Sequence, residues 1–299
     1  MSMDKIYTIE NDRLRVSVSV HGAELTSIIR KADDTEMLWQ ADERWWKRHS
    51  PVLFPIVGSL WQGTAVIEGE EYHMGQHGFA HDSDFTLVEA QPQSITFALN
   101  DTDITRSMYP YHFRLEISYE LHDATIEVKW RVRNTDTRPI HFQIGAHPAF
   151  LLPSYNPANK VQGYIRFDDP RTSYPLSVVG QLGCVTGQIR ETPLGPEAAI
   201  TPRLFDVATI IVENVPMRSV TLLDLERRPY LRLTHDAPVI GIWAPVKNGT
   251  VAPFVCIEPW YGRCDTMEYE GDFAKRPWTN TLSPGEDFDA RYAIDILSN

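Results

Sequence analysis

Apolar and polar residues alternate with period two along much of the chain. Leu14, Val16, Val18 and Val20 interleave with Arg15, Ser17 and Ser19, which predicts a strand buried on one face. His21-Gly22-Ala23-Glu24 then turns the chain into a short strand around Leu25 to Ile28. The alternation returns at Ile95/Phe97/Leu99, at Phe113/Leu115/Ile117/Tyr119/Leu121 and at Ile126/Val128/Trp130/Val132. His122-Asp123-Ala124, between the last two, has the length of a hairpin connection. Further strands are expected at 164–167, 210–212, 220–223, 231–234, 239–243 and 254–257.

Helical spacing is not sustained over three turns anywhere. Its nearest approach, Asp42 to His49, has room for one or two turns only. Short strands, frequent turn signals and 21 prolines spell an all-β antiparallel sandwich or barrel with few short helices. The stretches 151–162 and 187–202, rich in Pro, Asn and small residues, are read as surface connections inside one domain spanning 1–299.

Two strands carry chemistry. In His141-Phe-Gln-Ile-Gly-Ala-His-Pro-Ala-Phe150, strand periodicity puts Ile140, Phe142 and Ile144 on one face and Gln143, Gly145 and His147 on the other. His147 falls at the strand end, with Gly145 and Ala146 expected to leave open space beside it, and Pro148 stops the ladder. Such an imidazole is either a half-buried histidine satisfied by its neighbours or a proton donor.

In Phe254-Val-Cys-Ile-Glu-Pro-Trp-Tyr-Gly262 both faces are apolar, the mark of a covered central strand, yet Glu258 shares the face of Phe254 and Cys256. An unpaired buried carboxylate costs several kcal/mol or takes up a proton. Glu258 is therefore paired, for instance with Arg263, or placed at the strand's end, or functional. A His and a Glu together are the minimum for general acid–base catalysis.

Other chemistries find less support. There is no G-x-S-x-G elbow, P-loop or GxGxxG, and no evident carboxylate pair for glycoside cleavage. His77 and His81 stand four apart, but Gly78 and Phe79 between them favour a loop or strand, where that spacing separates side chains; no metal is expected. Trp39, Trp45, Trp46, Trp61, Trp243, Trp260 and Tyr261 adjoin the polar segments, and flat rings beside polar groups suit a sugar. Ordinary core packing accounts for part of that set.

Composition narrows the partners. The net charge of -12 argues against nucleic acid and against an anionic membrane surface. Three cysteines, without a CxxC pair, fit a reducing compartment, and the N-terminus lacks an apolar signal core; a cytoplasmic protein, monomer or homodimer, is expected.

Ser50-Pro-Val-Leu-Phe-Pro-Ile-Val-Gly58, Gln76-His-Gly-Phe-Ala80, Ile144-Gly-Ala-His-Pro-Ala-Phe150 and Cys256-Ile-Glu-Pro-Trp-Tyr-Gly-Arg263 together resemble the aldose 1-epimerase (galactose mutarotase) family, in particular its LacX-like branch. The four blocks stand in the family's order and span most of the chain. The resemblance implies a single antiparallel β-supersandwich binding a sugar in an open cleft. It also implies interconversion of the α and β anomers of an aldose, without metal or organic cofactor. By the same resemblance His147 is the general acid and Glu258 the general base, and His77 hydrogen-bonds the sugar. Arg48, His81, Asp206 and Trp260 join them as candidate binding residues, Asp206 as the best local match to a hydroxyl-binding Asp. Many relatives carry Arg where this chain has His81, which together with the acidic charge leans toward a free sugar. A hexose-6-phosphate mutarotase and a sugar-binding or regulatory protein remain the alternatives.

Overall fold

The computed structural model describes residues 5–214 and 217–297. Among them nearly all regular structure is strand, and the strands pair antiparallel. A nine-stranded sheet runs in the order Glu197–Ala199, Tyr164–Phe167, Ser219–Leu223, Pro229–His235, Asp287–Ile296, Thr125–Asn134, Phe113–His122, Ser94–Asn100, Thr86–Gln91. An eight-stranded sheet is built around Phe254–Tyr261, which lies between Val239–Trp243 on one side and both Ile144–Ala146 and Ala149–Leu151 on the other. Val52–Leu53 borders Ile144–Ala146, and Ile210–Glu213, Tyr174–Val179 and Val185–Thr192 extend the far side.

The two sheets meet through the faces that the alternation marked as apolar. Leu115, Ile117, Val128, Trp130, Leu233 and Ile294 from the larger sheet join Val212, Ile240, Ile242, Val255 and Ile257 from the smaller in one buried cluster. Each such side chain is stabilised by roughly 1.5–3 kcal/mol on leaving water. The opposite face of Phe254–Tyr261 carries Phe254, Cys256, Glu258 and Trp260, and connecting loops cover it. Because side chains along a strand alternate faces, one strand both anchors the core and presents a carboxylate on the far side.

Most expected strands are present, and Val239–Trp243 has the expected limits. The hairpin at His122–Thr125 closes in two residues, with Asp123 at φ 55°. Two expectations need correction, a third is met, and one strand was unforeseen. Residues 140–151 form three short strands: Ile140–Phe142 pairs with Asn280–Leu282, and only from Ile144 does the chain join the eight-stranded sheet. Gln143, fully buried, sits at the switch and accepts the Val57 N–H. The connection expected at 187–202 contains most of Val185–Thr192, an edge strand so exposed on both faces that it shows no apolar period. Asp42 to His49 makes one turn, closed on the Asp42 carbonyl, and no helix. Finally, Asp287–Ile296 is a ten-residue strand with Phe288, Ala290, Tyr292, Ile294 and Ile296 on one face, an alternation that was open to reading.

Candidate active site

Glu258 lies opposite Gly241 in the sheet, and on its other side the neighbouring chain leaves the ladder between Ala146 and Ala149. That short departure contains His147 and Pro148. Having no N–H, Pro148 adds no ladder donor, although its carbonyl accepts the Ile257 N–H. His147 is thereby turned toward Glu258, and its Nε2 stands 3.3 Å from Glu258 Oε2.

The pair is desolvated, with Glu258 1% and His147 8% exposed. Neither carboxylate oxygen has an aligned hydrogen-bond donor, and His147 Nδ1 has no partner. Burial holds the imidazole down to about 3 and pushes the carboxyl well above its ordinary range; the Trp260 indole opposes the second shift only in part. Both effects have one cause, because low polarisability disfavours whichever form is charged. Burial thus favours the uncharged form of each group. Arg263 is not the partner of Glu258: its Nε lies 3.3 Å from Glu213 Oε2.

Around the pair is an open cavity of about 410 Å³, lined among others by Trp46, Arg48, His77, His81, Trp243 and Trp260. Trp46 stacks on the His147 ring with centroids 4.7 Å apart, and Trp243 and His77 meet it edge-on at 5.6 and 5.5 Å. These contacts leave the imidazole few orientations other than toward Glu258. The space expected beside Gly145 is not empty. The Trp260 ring covers both Gly145 and Gly241, and a Cβ at either would meet it at 2.7 or 2.6 Å.

His77 is held by its backbone. It sits at φ 66° beside Gly78, whose missing Cβ allows contact with the Phe54 carbonyl. His77 N–H donates to Gly58 O at 2.8 Å, and Gly58 N–H donates to His77 Nδ1 at 3.0 Å. Nδ1 is thus an acceptor, so neutral His77 carries its proton on Nε2. Arg48 donates to Asp82 Oδ1 at 2.6 Å and to the His81 carbonyl at 3.4 Å. His81, 7% exposed, has Nε2 3.2 Å from Asp82 Oδ2, and burial together with Arg48 lowers it to about 4.

Six of the seven residues expected from sequence, His147, Glu258, His77, His81, Arg48 and Trp260, line this one cavity. Asp206 does not: it is exposed at the end of the turn Pro202–Phe205, and Ala208 and Thr209 reach the cavity instead. Trp46 and Trp243 had been noted only as aromatics. Val179, Gly183 and Ile211 were not foreseen as lining residues, because nothing in their types distinguishes them from other strand and turn positions. Of the remaining aromatics, Trp39 packs under the site on Phe254, Trp61 lines a different pocket, and Tyr261 points into the core beside Trp130.

The fold and the cavity together define a β-supersandwich with an imidazole–carboxylate pair in an aromatic cleft. The family model for aldose 1-epimerase matches residues 5–294, and the chain belongs to that family. It is 30% identical over 300 residues to Protein LacX (plasmid) of Lactococcus lactis subsp. lactis, covering 97% of this chain and 99% of that one. A galactose mutarotase related enzyme from Lactobacillus acidophilus superposes with a TM-score of 0.92 at 33% identity, covering 98% of each chain. A galactose mutarotase-like protein from Lactobacillus casei gives 0.90 at 28%, covering 98% of this chain and all of that one.

Proposed function

We propose that the protein is an aldose 1-epimerase acting on a free aldose, with His147 as general acid and Glu258 as general base. The observation that carries this reading is the 3.3 Å approach of His147 Nε2 to Glu258 Oε2 inside a tryptophan-lined cavity. In the ring-opening step Glu258 takes the proton of the anomeric hydroxyl and His147 donates one to the ring oxygen as the C1–O bond breaks. Imidazolium and carboxylate become imidazole and carboxylic acid. The proton must therefore first pass from Glu258 to His147, against the preference that burial sets, and the pair regains its favoured uncharged forms as the ring opens. Rotation about C1–C2 and reversal of both transfers close the opposite anomer. Trp46, Trp243 and Trp260 offer apolar faces to the sugar's C–H groups, and His77 Nε2–H is a donor for a hydroxyl or for the ring oxygen.

A free sugar is favoured over a phosphosugar because Arg48, the strong cation among the described lining residues, is already paired with Asp82. A pure binding protein would need neither a proton donor nor a base. The buried cluster running from Ile9 to Ile296 supports one working unit. Three free, buried cysteines and the net charge of -12 support a cytoplasmic monomer or homodimer with no nucleic-acid or membrane partner. No described helix is long and apolar enough to cross a membrane.

Polarimetry on freshly dissolved α-anomers of glucose, galactose, arabinose and xylose tests the reading. Faster approach to equilibrium with any of them is the expected result. Acceleration of glucose 6-phosphate alone would move the assignment to a phosphosugar, and no acceleration of any would refute the epimerase reading.

The pH dependence follows from the shared proton. A second proton joins the pair only as pH falls toward about 3, and the last one leaves only above the ordinary carboxylate range. We expect kcat/KM to show no inflection between about pH 6 and about pH 7, where an ordinary histidine titrates. An inflection in that window would show that the two groups titrate independently.

A further inference from the structure

His147 and Glu258 are not alone behind the cavity. Cys256, two residues before Glu258 on the same strand face, is fully buried, and its Sγ, a His147 ring nitrogen and a Glu258 oxygen all lie within 4.8 Å of one another. We infer that these three side chains form a site for a thiophilic divalent cation of the zinc class, and that its occupancy switches the acid–base pair off. The second half of that inference rests on the epimerase reading; the first does not.

Three observations carry it. The donor set of thiolate, imidazole and carboxylate is the mixture that Zn²⁺ accepts and that Mg²⁺ and Ca²⁺ do not favour. Its geometry is within reach: bonds of 2.0–2.3 Å to a tetrahedral zinc put donors about 3.5 Å apart. The His147–Glu258 gap of 3.3 Å already meets that spacing. The third observation is independent of residue type. Both Glu258 oxygens and His147 Nδ1 are buried without a hydrogen-bond partner, an arrangement that a bound cation would relieve at the carboxylate.

By contrast, the surface cluster of Glu120, His122 and Glu127 already has its cation, since Lys129 Nζ lies 2.8 and 2.9 Å from the two carboxylates. At the buried site no lysine or arginine among the described residues forms an ion pair with Glu258. His147 and Glu258 line the cavity and Cys256 stands behind them, so the ion would enter from the cleft and keep its fourth position toward it. Binding sends the thiol proton and the proton shared by the pair to solvent. The base is then coordinated and the acid has no proton to give, so the metal is an inhibitor of the proposed reaction and not its cofactor.

Cobalt(II) is the probe for the site, because thiolate ligation produces a near-ultraviolet charge-transfer absorption. The wild-type protein is expected to take up one Co²⁺ with that absorption, and Cys256→Ala and Cys256→Ser to lack it. Zn²⁺ is expected to suppress wild-type mutarotation reversibly, with activity returning on addition of a chelator. For the two variants, each compared with its own metal-free rate, half-inhibition should need at least about tenfold more Zn²⁺. Absence of the thiolate absorption in folded wild type at saturating Co²⁺ would overturn the site, as would its persistence in both variants, which would assign it to Cys184 or Cys264. Inhibition unchanged by the Cys256 substitutions would overturn the switch. If no sugar is turned over, the epimerase reading fails while the cobalt spectrum still decides whether the ion binds.

Discussion

Glu258→Gln is expected to lower kcat for mutarotation by about 10³-fold, within the 10²–10⁴ range of a single proton-transfer group, with the fold intact. The amide keeps the carboxyl's shape, so packing against Trp260 and Gly241 is retained while the proton acceptor is lost. Stability separates this from a structural effect. Burial raises the Glu258 carboxyl above its unfolded value, so its contribution to stability is fully present below about pH 4.3 and is lost as pH rises. Glutamine has no proton to lose. The variant should therefore be at least as stable as wild type at pH 7 and above, by thermal midpoint, while polarimetry shows it inactive. Turnover within tenfold of wild type would remove Glu258 from the mechanism.

The sequence already held the elements of this site, though not how they meet. Alternation alone put Glu258 on the face of Phe254 and Cys256, opposite Val255 and Ile257; the structure adds that the second pair faces the main core. It likewise put His147 at a strand end. What periodicity does not encode is cross-strand register: that Glu258 faces Gly241, or that the break at 147–148 falls beside Glu258. Gly145 was misread for the same reason. Gly145 looked like free space, but the ring that fills it arrives from a strand more than a hundred residues later. Arg48 was visible as a charge, while its partner Asp82 belongs to a different loop. Asp206 had only a residue type to recommend it, and a short polar side chain ending a turn has the same type. The edge strand Val185–Thr192 was hidden because a strand wetted on both faces has no apolar period to detect.

Lowering the pH from 7 to 5 is expected to cost the protein about 6 kcal/mol of folding stability. The effect comes from buried histidines outside the acid–base pair. His81 and His235 are each lowered to about 4 and His77 further, in every case chiefly by burial. His235 is 4% exposed with neither ring nitrogen partnered, and His77 Nδ1 is occupied by the Gly58 N–H. A group whose folded pKa is depressed gives stability that is present above its unfolded pKa and lost as pH falls. Here the unfolded chain takes up protons below about pH 6.5 and the folded one does not until about pH 4. Between pH 7 and 5 each of the three costs about 2 kcal/mol at 1.36 kcal/mol per unit. His147 adds little, because Glu258, shifted the opposite way, keeps the folded pair at one proton across that range. A loss of this size is a large share of the roughly 5–15 kcal/mol that holds a typical domain folded. Urea unfolding at the two pH values measures it. His235→Gln, on the strand Pro229–His235 of the nine-stranded sheet and outside the cleft, should remove about 2 kcal/mol of the pH dependence while leaving mutarotation unchanged. Equal unfolding midpoints at pH 5 and pH 7 would mean that these imidazoles are charged in the folded protein, and the same burial could not then be invoked for His147.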